Sequence, residues 1–431
     1  MVGHAASVGI VADDLTGATD SAVQFARDGW AARLALTPPA EGSVAEGAVV
    51  AVVTDARAAA AATARADTAA AVVGLRRAGV ERVFVKIDST MRGTVIDQVN
   101  GALEGWSHEH PDAVAIVCSA YPAMGRTIED GHILVNGAGV HTTSVGTDPV
   151  TPVSTSDLRE LLPGSVPLRL RPGSAEDGAA ALREALAGDT RIVVVDASTD
   201  ADLKQLAGAI ALLGERAIPV GAAGLAVAMA SAWSDAGTSE PATASARRVV
   251  VVVSSLHDVS RSQADHLLES LPDERVLLLA PSLADALDPS TIAEWASARL
   301  ADAAGLPEVV VIASPTERPA QKLGGASTAP ELIASSLATV TELVLGRDRV
   351  DTLMLLGGEG ARAVLDRLGA ESLLVLDAIR EGIPLARLEG GKADGMTVVT
   401  KAGGFGDPNT VHDIVTELLD TERLDTEGNA P

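Results

Sequence analysis

The sequence predicts an α/β protein with two domains, each containing a mostly parallel sheet flanked by helices. Short runs of β-branched residues alternate with alanine-rich segments of helical length along the chain, and this alternation is typical of parallel sheets. The runs are continuously apolar, as in strands that are covered on both faces. The alternation restarts after a polar segment at 234–248, and 431 residues are enough for two domains.

Five apolar runs in the first half of the chain are predicted to be buried strands. They occur at 7–13, 47–54, 82–88, 113–119 and 191–197. Helix formers between them predict helices at 17–28, 60–78 and 94–104. A long stretch dense in Gly, Pro, Thr and Ser, 119–190, is predicted to be an excursion or an active-site loop.

The second half repeats the pattern with five further apolar runs. They occur at 248–255, 275–280, 308–314, 351–357 and 396–403. The small polar residues at 234–248 indicate a linker between the two series. We therefore expect one domain at 1–235 and a second at 248–431.

Composition limits both the core and the partners of the protein. Hydrophobic residues make up 47% of the chain but aromatic residues only 2%, so the core must consist of Ala, Val, Leu and Ile. Lys and Arg total 33 against 58 Asp and Glu, which gives a formal net charge of −25. A field of this sign repels nucleic-acid phosphates and anionic lipids, so we expect no nucleic-acid or membrane partner.

The single cysteine, Cys118, excludes an intramolecular disulfide and a CxxC metal site. We expect it to be a small buried hydrophobe rather than a nucleophile. The opening residues lack the basic region of a signal peptide, and the longest apolar runs fall far below the roughly 20 residues that span a bilayer. We therefore expect a cytoplasmic protein, and the alanine-rich composition permits a homodimer.

The residues that follow each strand carry the functional information, because ligands of open α/β sheets bind beyond the carboxyl ends of the strands. The first run ends in Asp13 and Asp14, directly before a predicted helix. A carboxylate here can cap the helix. The pair can equally coordinate Mg²⁺, bind a substrate hydroxyl or act as a general base, and the sequence leaves these roles open.

The run at 82–88 exits through a cluster of cations, a carboxylate and hydroxyls that includes Lys86, Asp88, Ser89 and Arg92. Arginine offers a forked donor to carboxylate or phosphate and lysine a point charge, so we expect an anionic ligand here. The alternative is a solvated loop with internal ion pairs. Arg126, beyond the next run, is a second candidate for contacting an anion.

Three strand exits in the second half carry small residues instead. They contain Ser254, the turn formed by Gly357, Gly358, Glu359 and Gly360, and Gly403. Glycine turns at helix N-termini present free backbone N–H groups to phosphates. Neither turn matches GxGxxG or GxxxxGK[ST], which argues against a standard dinucleotide fold or a Walker-type site. A cation-bearing half and a glycine-turn half suggest phosphoryl transfer across a cleft.

Together these segments resemble the four-carbon acid sugar kinases, the tetronate kinase family. The resemblance extends in family order over essentially the whole chain. It is carried by VADDLTGATD (11–20), VKIDSTMRGT (85–94), YPAMGRTIEDGHILVNG (121–137), DP (148–149), GAAGLA (221–226), VVSSLHDVSRSQ (252–263), LGGEGA (356–361) and TKAGGFGD (400–407).

The resemblance implies an N-terminal domain that binds the sugar acid, a C-terminal domain that binds ATP with Mg²⁺, and an active site in the interdomain cleft. Phosphate would pass to the terminal hydroxyl of an acid such as threonate, erythronate or 3-oxo-tetronate. The implied acid-sugar site consists of Asp13, Asp14, Lys86, Asp88, Ser89, Arg92 and Arg126. The implied ATP contacts are Ser254, Gly357, Gly358, Glu359, Gly360 and Gly403. The general base would be Asp13, Asp14 or Asp88, with Asp14 preferred.

Two alternatives stay open from the sequence. Relatives commonly carry hydroxyl residues where this chain has Leu356 and Gly360, so the protein could be a non-catalytic acid-sugar sensor with a decayed nucleotide site. The other alternative is a sugar-acid phosphatase of the haloacid dehalogenase type. That family needs a second acid two residues after its nucleophilic Asp, whereas here Asp13 is followed by Asp14 and then Leu15.

Overall fold

The chain divides into two units, Met1–Glu240 and Pro241–Pro431, and each is built from alternating strands and helices. The structure is a computed structural model that describes residues 6–148, 150–234, 244–301, 305–317, 328–380 and 382–428. Most of the predicted linker, 235–243, and Pro149 of the DP pair lie outside the described residues. The α/β fold class predicted from the sequence is confirmed.

The first unit contains every strand and helix predicted for the first half. Its strands are β1 (Val8–Ala12), β2 (Ala31–Ala35), β3 (Ala48–Val53), β4 (Arg82–Lys86), β5 (Val114–Cys118), β6 (Arg126–Glu129), β7 (His132–Val135), β8 (Ala138–Gly139), β9 (Val166–Leu168), β10 (Ile192–Val195) and β11 (Ala217–Gly221). Its helices are α1 (Leu15–Arg27), α2 (Ala61–Arg77), α3 (Val95–Trp106), α4 (Leu158–Leu161), α5 (Ala175–Ala185), α6 (Asp200–Ala211) and α7 (Ala223–Trp233).

The main sheet of this unit has the strand order β2–β3–β1–β4–β11–β5–β10–β9, and all neighbouring strands are parallel. Strands β1 and β5 are buried at every residue, as expected for strands covered on both faces. In the register of β1, Ala12 pairs with Val53 of β3 and with Lys86 of β4. The segments that follow these three strands therefore meet at one edge of the sheet.

The glycine-rich stretch 119–190 is an excursion with structure of its own. Strands β6, β7 and β8 form a small antiparallel sheet. The chain then passes through α4 and returns to the main sheet as β9, which pairs in parallel with β10. The stretch is therefore an excursion from the main sheet, and Asp148 within it also contacts Arg92.

The second unit contains all five strands predicted for its half. Its strands are β12 (Val249–Val253), β13 (Val276–Leu279), β14 (Val309–Ala313), β15 (Thr352–Leu356), β16 (Ser372–Arg380), β17 (Ile383–Glu389) and β18 (Thr397–Lys401). Its helices are α8 (Asp258–Ser270), α9 (Leu283–Ala286), α10 (Ile292–Ala301), α11 (Ala329–Arg347), α12 (Gly358–Leu368) and α13 (Thr410–Gly428).

The sheet of the second unit has the order β13–β14–β12–β15–β18–β17–β16. Its first five strands are parallel, and β17 pairs antiparallel with both β18 and β16. A buried cluster of Val, Leu, Ile, Ala and Met side chains fills the core between the sheet, α8 and α13, as the low aromatic content requires. Within the described ranges, no helix is both long and apolar enough to cross a membrane.

The thiol of Cys118 provides a test of the packing around β5. Cys118 is fully buried, and burial raises the pKa of its thiol to about 12. Because the thiolate is the reactive form, we expect the folded protein not to react with Ellman's reagent at pH 8. One thiol per chain should react once the protein is denatured. Rapid titration of this thiol in native buffer would contradict the described packing.

Candidate active site

A cluster of charged side chains lies at the carboxyl ends of β1, β3 and β4. Its acidic members are Asp13, Asp14, Asp88 and Asp148, and its basic members are Lys86, Arg57 and Arg92. Five of these seven residues are predicted site residues, so the structure brings together most of the residues that the sequence predicts to bind the acid sugar. Within the described residues, no group of three or more His, Cys, Asp or Glu side chains is arranged to hold a metal ion.

Arg57 is the central residue of the cluster, because its guanidinium contacts three carboxylates. Its Nε and Nη2 donate to the two carboxylate oxygens of Asp13, each at 2.9 Å. Its Nη1 lies 2.7 Å from Asp14 Oδ2, and its Nη2 lies 3.6 Å from Asp88 Oδ2. Burial opposes the charged form, but the three carboxylates raise the pKa of Arg57 above its ordinary value. Arg57 is therefore a permanent cation.

Asp13 and Asp14 are neighbours with different surroundings. The Asp13 side chain is fully buried. Burial raises its pKa, although the charges of Arg57 and Lys86 oppose that shift. Asp14 is the N-cap of α1, where its Oδ1 accepts from the Gly17 N–H at 2.6 Å, so one of its alternative roles, helix capping, is confirmed. The Asp14 side chain is 31% exposed, which makes it the accessible carboxylate of the pair.

Asp88 is held as an ionised carboxylate by several donors. Its Oδ1 accepts from the backbone N–H and the hydroxyl of Thr90, and its Oδ2 accepts from Arg92 Nη2 at 2.7 Å. Burial alone would raise the pKa of Asp88. The charges of Arg57 and Arg92, together with these hydrogen bonds, instead hold it well below its usual range. Asp88 is thus a weak proton acceptor and a strong partner for cations.

Arg92 connects this cluster to a distant part of the chain. Its Nη1 donates to Asp148 Oδ2 at 3.1 Å, and its side chain is 32% exposed. Asp148 is itself fixed by the backbone N–H groups of Val150 and Thr151, which donate to its Oδ1 at 2.9 and 2.8 Å. Arg92 therefore already binds a carboxylate at a position open to solvent.

The loop after β4 has an unusual backbone that fits it against the segment carrying Arg57. Met91 has a φ of +64° and Gly93 a φ of +84°. A side chain at Gly93 would collide with the carbonyl of Arg57, and the Thr94 hydroxyl donates to the Ala56 carbonyl at 2.7 Å. The left-handed conformation of a bulky residue such as Met91 is strained, and it occurs in the turn between Asp88 and Arg92, whose side chains form an ion pair.

Lys86, Ser89 and Arg126 have less definite positions in the site. Lys86 is buried, and its Nζ donates to the Ile87 carbonyl at 3.0 Å. Ser89 follows Asp88, but its hydroxyl has no hydrogen bond within the described residues. Arg126 donates to the carbonyl of Met124 in its own turn, and in the described chain no ion pair joins it to the cluster.

The sequence patterns did not single out Arg57 or Asp148 as site residues. The rule of examining strand exits would have found Arg57, because the run at 47–54 leads directly into Asp55, Ala56 and Arg57. Asp148 lies far from any predicted strand, and its signal is the DP pair that contributes to the family resemblance.

In the second unit, the three exits with small residues also lie side by side. Strand β15 pairs with β12 and with β18, so Ser254, Gly357 and the segment containing Gly403 follow neighbouring strands. Gly357 has a φ of +107° and is the N-cap of α12. The N–H groups of Gly358, Glu359 and Gly360, in the first turn of this helix, have no acceptor in the described chain, as is usual for a helix N-terminus.

Ser254 and Gly360 depend on each other. The Ser254 hydroxyl donates to the Leu356 carbonyl at 2.9 Å. A side chain at position 360 would collide with both Cβ and Oγ of Ser254. The missing side chain at Gly360 therefore provides the space that the Ser254 hydroxyl fills.

Comparison with known proteins agrees with this organisation. Residues 8–229 match the family model described as a sugar-binding N-terminal domain, and residues 250–411 match that of a nucleotide-binding C-terminal domain. The chain is 40% identical to the D-threonate kinase of Bordetella bronchiseptica over 94% of this chain and 95% of that protein. It is 27% identical to the 3-oxo-tetronate kinase of Brucella melitensis over 94% of each.

The fold also matches that of a protein whose crystal structure is known. A Haemophilus influenzae protein superposes with a TM-score of 0.70 at 21% identity, over 95% of this chain and 100% of that one. This likeness supports the fold alone. With both family models matched along most of its length, and with 40% identity to a D-threonate kinase, the chain belongs to the tetronate kinase family, the four-carbon acid sugar kinases.

Proposed function

We propose that the protein is an ATP-dependent kinase that phosphorylates the terminal hydroxyl of a four-carbon sugar acid. The observation that carries the proposal is the Arg57–Asp88–Arg92 network at the carboxyl end of β4, where a buried set of fixed charges opens to solvent at Arg92. The names of the relatives, D-threonate kinase and 3-oxo-tetronate kinase, support the same substrate class. Since the D-threonate kinase is the more similar of the two, D-threonate is the first acid to test.

The first unit supplies the acid-sugar site in this proposal. Arg92 binds the substrate carboxylate, since its side chain is 32% exposed and arginine is a forked donor that suits carboxylates. Lys86 adds positive charge, and Ser89 and Arg126 complete the site. Asp13 and Asp88 hold Arg57 and orient the substrate hydroxyls.

Asp14 is our choice for the general base. Proton transfer requires a carboxylate that the substrate hydroxyl can reach. Asp13 is fully buried and accepts from both Nε and Nη2 of Arg57. Asp88 is 7% exposed, and its pKa is strongly lowered. Asp14 is 31% exposed, and it alone among the three combines accessibility with a fixed orientation.

The second unit supplies the nucleotide site, and ATP enters as its magnesium complex. The N–H groups of Gly358, Glu359, Gly360 and Gly403 contact the phosphates, as those of glycine turns do elsewhere. The N–H groups of Ser254 and Gly357 are instead bonded within the fold to the Leu356 and Lys401 carbonyls, so these two residues shape the site. In phosphoryl transfer the protein contributes mainly positioning and charge stabilisation. The Ser254 hydroxyl beside Gly360 favours this function over a sensor with a decayed nucleotide site. A homodimer stays a prediction.

The activity test couples ADP release to NADH oxidation with MgATP and a panel of D-threonate, D-erythronate, L-threonate and 3-oxo-tetronate. We expect turnover with at least one acid and none without acid. Binding of an acid without turnover would instead support the sensor, and phosphate release from a phosphorylated acid without ATP would support the phosphatase.

Replacing Asp14 tests the assignment of the general base. Asparagine also caps helices well, so Asp14→Asn should fold normally and keep its melting temperature. Loss of the base should lower kcat by about two to four orders of magnitude. Asp157 is a second N-cap aspartate in the same unit, and Asp157→Asn is the matched control with unchanged kcat. Wild-type turnover in Asp14→Asn would refute the assignment.

Replacing Arg92 tests the binding of the substrate carboxylate. Arg92→Ala removes a charged donor to that carboxylate, and we expect kcat/KM for the acid to fall by about tenfold or more while the KM for ATP stays the same. Arg65, which forms an exposed ion pair with Glu104, provides the control Arg65→Ala, for which both constants should remain unchanged. An equal loss in the two variants, or no loss in Arg92→Ala, would contradict the assigned role.

A further inference from the structure

The glycine turn after β18, residues 402–406, is hydrogen-bonded on its interior side to a buried lysine. Lys401 is the last residue of β18 and is only 1% exposed. Its Nζ donates to the carbonyl oxygens of Ala402 and Phe405, each at 2.8 Å. The ammonium group of Lys401 therefore lies inside the turn rather than at its surface.

Two buried side chains of α8 donate to further carbonyls of the same segment. The Ser260 hydroxyl donates to the Gly403 carbonyl at 2.6 Å. The Gln263 amide donates to the carbonyls of Phe405 and Asp407 at 3.1 and 2.6 Å. Both side chains belong to fully buried residues, so these carbonyls point towards the interior of the unit.

The direction of the carbonyls fixes the direction of the neighbouring N–H groups. In a planar trans peptide the N–H of the next residue points away from the preceding C=O, and the described chain has no cis peptide bond. The N–H groups of Gly403, Gly404 and Gly406 therefore point out of the unit. In the described part of the chain none of the three has an acceptor. Such a concave set of free N–H groups binds anions.

Within the residues that the structure describes, the Lys401 ammonium is bonded to carbonyl oxygens alone. In the described residues no carboxylate forms an ion pair with it, and burial lowers its pKa to about 8. A buried ammonium without a carboxylate is unfavourable for folding. An anion bound on the other side of the turn would be close enough to stabilise it.

We propose that Lys401 is a positioning residue for the nucleotide: it orients the N–H groups of the turn 402–406 towards the phosphates and places a positive charge beneath them. This inference rests on the proposed kinase function and assigns to the second unit a residue that acts through the turn. Ser260 supports the same orientation through one neutral hydrogen bond.

The experiment measures steady-state kinetics and MgADP binding by calorimetry for wild type, Lys401→Met and Ser260→Ala. We expect Lys401→Met to raise the KM for ATP and the Kd for MgADP by about tenfold or more, since a charge-assisted set of bonds is lost. Ser260→Ala should raise both by about threefold. In each variant the KM for the acid should change by less than twofold.

Thr352→Val is the matched control, because Thr352 is a buried residue of the neighbouring strand β15, and its hydroxyl has no hydrogen-bond partner among the described residues. It should bind MgADP as the wild type does. Wild-type MgADP affinity in folded Lys401→Met, or an equal rise in the KM of both substrates, would overturn the inference. If Lys401→Met does not fold, wild-type affinity in Ser260→Ala overturns it. A wild-type protein that neither binds MgADP nor consumes ATP would refute the proposed function itself.

Discussion

The interaction on which the first unit's site depends is the sharing of one guanidinium by three carboxylates. Two of them, Asp13 and Asp88, are buried, and buried carboxylates in proximity do not stay ionised without a cation between them. Arg57 provides that cation, and Gly93 gives its backbone carbonyl the room it needs. Arg57 contacts the helix cap at Asp14 and the Asp88 carboxylate, which in turn binds Arg92. The loop through Met91 packs against the Arg57 backbone at Gly93.

The protein as a whole carries a negative charge, whereas the sites that we propose for its anionic ligands carry positive charges and N–H donors. A formal net charge of −25 disfavours large anionic partners, yet ATP and a sugar acid are themselves anions. Their recognition must therefore be local, because screening limits the reach of surface charges to about 10 Å. In the sites that we propose, the local attraction comes from arginine and lysine side chains in the first unit, and from backbone N–H groups near one buried lysine in the second.

The sequence was most informative where strands are continuous apolar runs. All ten predicted strands exist, because β-branched runs bounded by polar residues have few other stable conformations. Strands β2 and β11 were not predicted, since AARLA and AIPVG are short and carry an arginine or a proline. Arg57 was missed because the segment after its run, Asp55 to Arg57 followed by alanines, has only two charges and none of the glycines or hydroxyls that mark the other exits. Asp148 reaches Arg92 across 56 residues, and no local pattern encodes such a contact.

In the second unit, Ser254 and Gly360 show that a residue cannot be interpreted alone when two side chains compete for the same volume. From the sequence alone, Gly360 suggests that a hydroxyl group found in relatives has been lost. In the structure, the Ser254 hydroxyl fills the volume that a side chain at position 360 would need. The buried Lys401 ammonium holds the Ala402 and Phe405 carbonyls, but a neutral donor could do the same at a lower desolvation cost. An ammonium group on the interior side of outward-pointing N–H groups is the arrangement that the proposed nucleotide site requires, and it favours the kinase over a sensor with a decayed nucleotide site.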